Sequence, residues 1–290
     1  MKKIKFYKMS GSGNDFIIID NREHVVEEKN LSNFISSVCR RKMSVGADGM
    51  ILIENADSVD FKWRFFNSDG SRAEMCGNGA RCAARFAYLN EIAGPRMSFE
   101  TDVGIISAQV KDDLVKVKMT DAQDLKVDLT VNTADGAITV SSINTGVPHV
   151  VMAVDNIDDV EVVELGRKIR YHKKFAPAGT NVNFYCPVEK DKISIRTYER
   201  GVEDETLACG TGAVASALVY ANKTKVKSPI AVRTKSGGWL LIFFTEEKGV
   251  FGNIYLQGDA RIIYRGEMSE DAINYVRAEI LPKETRHDEN

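Results

Sequence analysis

The feature that most restricts the fold is an internal repeat. CGNGARCAA begins at Cys76 and CGTGAVASA begins at Cys209, an offset of 133 residues (209 − 76). Upstream of these, FKWRFFN ends at Asn67 and ISIRTYE ends at Glu199, and SGSGNDFIIID has a looser echo in AGTNVNFYCPV. Each copy therefore predicts a strand, a charged turn, a cysteine, a glycine turn and a helix. Two copies of one fold facing each other are the simplest architecture that explains this.

Short apolar and β-branched runs bounded by turn residues predict strands over most of the chain. The predicted strands are 15–20, 49–54, 60–67, 104–110, 114–119, 181–188, 192–198, 230–234, 239–244 and 253–258. The predicted helices are fewer, namely about 31–42, the stretch after Cys76, about 159–171, the stretch after Cys209, and 269–280. The pattern indicates a strand-rich α+β protein.

The bulk properties exclude several classes of function. The 290 residues are enough for two domains with their own cores, and a net charge of −2 offers no broad basic surface for nucleic acid. The opening residues contain no apolar stretch long enough for the signal peptide of a secreted protein, and no later run approaches the roughly 20 apolar residues of a membrane span. We therefore expect no nucleic-acid partner, no membrane contact and a cytoplasmic location.

The cysteine pattern predicts free thiols. The chain has five cysteines at irregular spacing, which are Cys39, Cys76, Cys82, Cys186 and Cys209. An odd number without a C-x-x-C pair argues against both a disulfide framework and a zinc site, and the histidines form no ligand-spaced cluster with them. The three cysteines without a glycine turn are expected to be core thiols.

The two cysteines that precede glycine turns have a different potential. Glycines leave the first backbone N–H groups of the following helix uncovered, and the helix dipole makes this end a binding site for a carboxylate. The same field is expected to lower the pKa of a cysteine there. With Cys76 and Cys209 on opposite faces of an amino acid's Cα, one thiolate could remove a proton while the other thiol delivers one. Inversion at Cα without a metal or an organic cofactor is the chemistry that this pattern favours.

The chain resembles the diaminopimelate epimerase family. The motifs that carry the resemblance are SGSGNDF, FNSDGSRAEMCGNGARC, GTNVNF and YERGVEDETLACGTGA, in the family's order and spacing. The resemblance implies an isomerase that uses no cofactor, interconverting LL- and meso-2,6-diaminopimelate on the route to lysine and peptidoglycan precursors. It also implies two pseudo-symmetric α+β domains, each a curled, mostly antiparallel sheet around a central helix, with the active site in the cleft between them.

The resemblance further implies the domain limits and partners. The N-terminal domain would span 1–118, completed by the C-terminal segment 262–290, and the second domain would span 119–261. The small-molecule partner is an amino acid, and a homodimer is possible.

Residue by residue, the resemblance makes Cys76 and Cys209 the two acid/base thiols. The implied substrate-binding residues are Asn14, Asn67, Gly77, Asn78, Asn181, Glu199, Arg200, Gly210 and Thr211. Among them Arg200 suits a distal carboxylate, because a guanidinium binds carboxylates by a bidentate fork. His149 and Glu199 match residues that tune the thiol pKa values.

The chain departs from a common family pattern at two positions. Val147 stands where many members have an asparagine that contacts substrate, and Gly49 stands where some have a glutamine. One alternative is therefore a related racemase of another amino acid, such as histidine or glutamate. Two others are a dithiol redox protein in which Cys76 and Cys209 form a disulfide, and a non-catalytic amino-acid binder.

Overall fold

The computed structural model describes residues 3–73, 75–133 and 136–273, and strands dominate that part of the chain. The strands are β1 (Ile4–Gly11), β2 (Asn14–Asp20), β3 (Gly49–Glu54), β4 (Phe61–Asn67), β5 (Arg96–Thr101), β6 (Gly104–Lys111), β7 (Leu114–Lys118), β8 (Gln123–Thr133), β9 (Gly136–Asn144), β10 (Pro148–Ala153), β11 (Asn181–Glu189), β12 (Lys192–Glu199), β13 (Asp204–Thr206), β14 (Ile230–Arg233), β15 (Trp239–Glu247), β16 (Val250–Asp259) and β17 (Arg261–Met268). The helices are α1 (Leu31–Cys39), α2 (Gly77–Leu89), α3 (Val162–Arg170), α4 (Gly210–Thr224) and α5 (Glu270–Ile273).

The two halves of the molecule have the same order of strand pairings. In the first half the neighbours run β17, β1, β2, β3, β4, β5, β6 and β7, with parallel pairing at β2–β3 and β4–β5. In the second half they run β8, β9, β10, β11, β12, β14, β15 and β16, with parallel pairing at β10–β11 and β12–β14. The remaining pairs in both lists are antiparallel. The prediction of an α+β protein with two pseudo-symmetric, mostly antiparallel halves is confirmed.

The pairing corrects one sequence alignment. Phe16 of β2 lies opposite Gly49 of β3, and His149 of β10 lies opposite Asn181 of β11, both in parallel register. The counterpart of β2 is therefore β10, and the looser echo that matched residues 10–20 with 178–188 aligned the wrong strands. It did so because buried β-strands share residue types whatever their position in a sheet.

Each half wraps its sheet around one central helix. Helix α2 packs against β1, β2, β6 and β7, and α4 packs against β9, β10, β11, β14 and β15. Alanines that are fully buried on both helices, such as Ala83 and Ala217, let the strands approach closely. The starts of the two helices face the interface between the halves, so the fold brings both copies of the cysteine motif to one place.

Two connections tie the halves together. Strands β7 and β16 pair antiparallel across the interface, and the chain then leaves β16 and returns as β17, which pairs with β1. The domain limits at 118 and 261 stay a prediction, and residues 274–290 lie outside the described residues. The predicted helix 269–280 is described only at Glu270–Ile273. Among the described residues, no helix is long and apolar enough to cross a membrane.

Candidate active site

A cavity of about 600 Å³ lies between the two halves, and both cysteine motifs line it. The predicted site residues in its wall are Asn14, Cys76, Gly77, Asn78, Asn181, Glu199, Arg200, Cys209, Gly210 and Thr211. Further lining comes from apolar and polar residues that the sequence did not indicate, which include Met75, Val103, Ile105, Lys118, Met119, Thr120 and Thr145. Val147, which stands where many family members have an asparagine, also lines the cavity. The cavity therefore gathers residues from both halves around the two helix starts.

Each thiol belongs to the residue that caps a central helix. Cys76 is the N-cap of α2 with φ −142° and ψ 117°, and Cys209 is the N-cap of α4 with φ −113° and ψ 111°. Cys76 is half-buried and Cys209 is buried, and neither forms a disulfide. The extended backbone at a cap points the side chain toward the uncovered N–H groups of the first turn. The two sulfurs thus stand at the positive ends of two helices.

Burial decides the acidity of both thiols. It raises the pKa of Cys209 to about 12, with the charge of Glu199 raising it further, while the Thr211 hydroxyl and the Gly212 N–H lower it. Burial likewise raises the pKa of Cys76, against the N–H groups of Gly79 and Asn78. The expectation of lowered thiol pKa values is therefore wrong. The helix N–H groups act in the predicted direction, but the loss of thiolate solvation outweighs them.

The four motif glycines differ in how much space surrounds them. Gly77, Gly79, Gly210 and Gly212 all lie within the helices, so the tight turn expected from the sequence is not their role. A Cβ on Gly77 would meet nothing within 4 Å, which leaves that backbone open to a ligand in the cavity. A Cβ on Gly212 would lie 2.2 Å from Oδ1 of Asn183. The second glycine of CGTG therefore makes room for a buried amide.

The polar residues of the second half meet at the ends of β11 and β12. Asn181 donates from Nδ2 to the Pro148 carbonyl at 3.2 Å and accepts the Arg200 N–H through Oδ1 at 2.9 Å. Arg200 also donates from Nη1 to the Ala178 carbonyl at 3.1 Å. Burial raises the pKa of Glu199. This corner supplies a cation, a carboxyl group and an amide within one wall of the cavity.

Two predicted site residues lie outside the cavity wall. Asn67 is exposed at the end of β4, where its Nδ2 donates to the Ser71 hydroxyl at 3.0 Å. His149 is buried behind the wall, and its Nδ1 lies 3.1 Å from Nδ2 of Asn183. Burial, followed by the charge of Arg200, lowers the pKa of His149 to about 3. A neutral imidazole adds no charge beside either thiol, so it can act only through packing and hydrogen bonds.

Two residues that pack around the helix start of the second thiol were not predicted from the sequence. Asn183 is fully buried, bonds to the Val150 carbonyl and the Thr197 hydroxyl, and packs against Gly212. Asn183 follows Asn181 by two residues, so both side chains lie on the same face of the strand, and this spacing could have indicated Asn183 from the sequence. Thr145 donates through its hydroxyl to the Thr211 carbonyl at 3.1 Å, and nothing in its sequence context indicated this contact.

The other cysteines lie apart from the cavity wall. Burial raises the pKa values of Cys39 and Cys82 to about 12, and both are core thiols as expected. Cys186 is only half-buried and donates to the Asp155 carbonyl at 3.2 Å. The described part of the chain has no group of three or more His, Cys, Asp or Glu side chains that could hold a metal ion.

The architecture matches solved structures of a known class. A phenazine biosynthesis protein of the PhzF family from Bacillus anthracis aligns with a TM-score of 0.71 at 15% identity, over 93% of this chain and 100% of that one. A hydroxyproline epimerase from Agrobacterium vitis aligns with a TM-score of 0.64 at 15% identity, over 93% of each chain. The protein therefore has the two-domain fold of this class, here with a cysteine at the head of each central helix.

Sequence comparison narrows the class to one family. The model of the family described as diaminopimelate epimerase matches residues 6–125 and 141–263. A curated diaminopimelate epimerase from Aquifex aeolicus is 48% identical over 282 residues, which cover 94% of this chain and 100% of the relative. The chain belongs to the diaminopimelate epimerase family. Membership of this family makes the protein an isomerase.

Proposed function

We propose that this protein epimerises 2,6-diaminopimelate at one Cα, interconverting the LL and meso forms, with Cys76 and Cys209 as the acid/base pair. The observation that carries the proposal is the pair of thiols at the heads of two equivalent helices in one cavity. The names of the curated relatives support the substrate. On this proposal the enzyme works in the cytoplasm, on the route to lysine and peptidoglycan precursors.

The proposed reaction begins with one thiol ionised and the other protonated. The thiolate takes the Cα proton as the C–H bond breaks, and the electron pair spreads into the carboxylate attached to Cα. The opposite thiol then delivers its proton to the other face of Cα and becomes the thiolate. Protons and charges balance, and the enzyme ends with the protonation states of its two cysteines exchanged. A near-symmetric reaction thus suits a pseudo-symmetric site.

The backbone at the helix starts can stabilise the intermediate. Negative charge grows on the reacting carboxylate as the proton leaves, and Gly77, Asn78, Gly210 and Thr211 all line the cavity at the helix N-termini. N–H groups that already point at this position need no reorganisation during the reaction. This is the role that we propose for these four residues.

The group formed by Asn181, Glu199 and Arg200 suits the distal end of the substrate. The Arg200 guanidinium can pair with the distal carboxylate, and Glu199 with the distal ammonium group, while Asn181 fixes the backbone between them. A substrate with a carboxylate at each end uses both this corner and the helix starts. This favours diaminopimelate over a monocarboxylate such as histidine.

The test is hydrogen exchange at Cα. The reduced protein is incubated in deuterated water with LL-diaminopimelate, L-histidine or L-glutamate, and deuterium at Cα is followed by mass spectrometry. We expect exchange and inversion with diaminopimelate alone. Exchange only with histidine or glutamate would identify a related racemase, and no exchange with any of the three would reject the proposal.

The same samples separate the thiol chemistries. An epimerase needs reduced cysteines but consumes no reductant, whereas a dithiol redox enzyme oxidises it stoichiometrically. Thiol titration before and after turnover is expected to give equal values. Net loss of thiols in proportion to turnover would favour the redox alternative.

A further inference from the structure

A chain of side-chain hydrogen bonds runs from the surface of the first half to the cavity. Arg41 donates to Oδ1 of Asp48 at 2.7 Å, and Asn14 donates from Nδ2 to Oδ2 of Asp48 at 3.2 Å. Oδ1 of Asn14 accepts Nδ2 of Asn78 at 2.5 Å. Asn14 and Asn78 line the cavity, and Asn78 is only 2% exposed. We name these four residues the amide relay.

The relay fixes the direction of both amides. A carboxylate only accepts hydrogen bonds, so the amide nitrogen of Asn14 must face Asp48. The oxygen of Asn14 then faces Asn78, and Asn78 must offer its own nitrogen in return. The orientation of the Asn78 amide thus depends on that of Asn14, which in turn is set by Asp48.

The relay ends at an acceptor without a partner. Oδ1 of Asn78 is buried and makes no hydrogen bond with the described residues. A buried acceptor left unsatisfied is costly, and it gains most from a charged donor. The donors of diaminopimelate are its ammonium groups, and Asn78 stands two residues after Cys76, beside the reacting centre.

We propose that Asp48 is a positioning residue that sets the amide relay so that Oδ1 of Asn78 accepts a hydrogen from the ammonium group of the reacting Cα. The inference rests on the function proposed above and names the contact that orients the reacting centre between the thiols. Asp48 itself does not line the cavity and acts through Asn14 and Asn78.

The described residues of the second half contain no equivalent of the relay. In its place Val147 corresponds to Asn14 and Thr211 corresponds to Asn78, with the Thr211 hydroxyl 3.6 Å from the Cys209 sulfur. An apolar side chain cannot hold an amide in one direction. The ammonium group of the reacting centre is therefore bound from the first half, which places this group on one defined side of the site.

The test is Asp48→Asn, which keeps the shape and reverses the hydrogen bonding. Because Arg41 holds the oxygen of the new amide, its nitrogen faces Asn14, and both relay amides turn over. Asn78 then presents N–H groups to the ammonium. We expect KM for LL-diaminopimelate to rise about 10- to 100-fold, with kcat changed by less than about threefold, because the contact is equal in ground and transition states.

A second ligand separates positioning from general damage. L-2-aminopimelate lacks one ammonium group and can bind with its bare carbon at the reacting end, so its inhibition constant is expected to change less than about threefold. Asp20→Asn is the matched control, since Asp20 pairs with Arg22 at the far end of the same strand, β2. Its KM is expected to match the wild-type value.

Each outcome decides the question. A parallel loss for both ligands, a fall in kcat at unchanged KM, or no change at all would overturn the inference. The substitution also removes a bond from the Asp15 N–H, so unfolding midpoints are compared, and Asp48→Ser repeats the test if Asp48→Asn does not fold. If neither variant folds, Asp48 holds the structure and the inference is rejected. Failure of the proposed function would show separately, as a wild-type protein without Cα exchange.

Discussion

The two halves share a backbone plan and differ in their polar side chains. Both present a cysteine, the glycine that follows it and a helix start to the cavity, through identical orders of strand pairing. Around Cys76 the polar neighbours include amides held by Asp48, whereas around Cys209 they include Thr211 and a buried amide at Asn183. Besides burial, the charge of Glu199 raises the pKa of both thiols.

This difference separates two requirements of the proposed reaction. Proton transfer to either face of Cα needs two equivalent acid/base groups, and the duplicated backbone supplies them. The substrate itself has a reacting end and a distal end, and these need unlike contacts. In the proposed reaction the repeat therefore provides the chemistry, while the divergence of side chains provides the orientation.

The largest expected effect tests whether both halves are indispensable. Cys76→Ala and Cys209→Ala are each expected to lower epimerisation by about 1,000-fold, because each removes the proton donor or acceptor of one face. The rate of LL-to-meso conversion is followed by chromatography. Cys186→Ser is the control and should stay within about twofold, since Cys186 lies outside the cavity wall. If either variant kept a tenth of the wild-type activity, the two halves would not be equally required for the reaction.

The second prediction concerns acid stability, because His149 stands where the first half has Phe16. The folded-state pKa of His149 is about 3, below its ordinary value of 6.5, so the unfolded chain binds a proton that the folded chain does not. Stability present above pH 6.5 is therefore lost as the pH falls toward 3, by about 2 kcal/mol at pH 5 and roughly 4 kcal/mol at pH 3.

The measurement is urea unfolding of the wild type and His149→Gln between pH 7 and pH 4. The stability difference between the two proteins should change across this range in the variant's favour. His24→Asn, at an exposed turn, serves as the control and should run parallel to the wild type. If the free energies of unfolding of His149→Gln and the wild type changed with pH in parallel, this imidazole would protonate in the folded protein.

The third prediction compares equivalent glycines. Gly212→Ala forces a Cβ to 2.2 Å from Oδ1 of Asn183, whereas the nearest atom to a Cβ on Gly79 is a flexible Ile51 methyl at 3.3 Å. We expect Gly212→Ala to cost about 3 kcal/mol of the free energy of unfolding and Gly79→Ala less than about 1 kcal/mol. Denaturant titration of both variants gives the two values. Equal costs would mean that the two helix starts are packed alike.

The smallest effect concerns the charge beside the second thiol. Removing the carboxylate in Glu199→Gln should lower the pKa of Cys209, because the charge of Glu199 raises it. Alkylation of Cys209 by iodoacetamide, followed by mass spectrometry in a Cys76→Ala background, should accelerate a few-fold at a given alkaline pH. Asn67→Gln at the equivalent position of the first half is exposed and should have no effect. Slower alkylation in Glu199→Gln would contradict the assignment.

Much of the site could be predicted from the sequence because the repeat carries it in contiguous residues. The cysteines, their glycines and the residues that follow are local, and their positions at the helix starts follow from helix geometry. The net pKa direction of the thiols could not be predicted, because burial depends on the whole fold. Asp48 was missed for a similar reason, since its role needs Asn14 and Asn78 from two other segments.

The strands were predicted unevenly, and burial explains only part of the difference. Gly49–Glu54, which has a buried apolar run, was predicted with its observed bounds. The missed strands include Gln123–Thr133 and Arg261–Met268, which are largely exposed, but also Ile4–Gly11 and Pro148–Ala153, which are largely buried. Their partners in the sheet stabilise them, and pairing between distant segments leaves little trace in local sequence.

The return of the chain as β17 bears on how the protein is made. Strand β1 is synthesised well before its outer neighbour, Arg261–Met268. The second half has all its strands once Asp259 has been synthesised, while the first half still exposes the edge of β1. An exposed edge invites pairing with other chains. The half that begins synthesis first is thus the last to close, and a nascent chain carries this open edge until Arg261–Met268 has been synthesised.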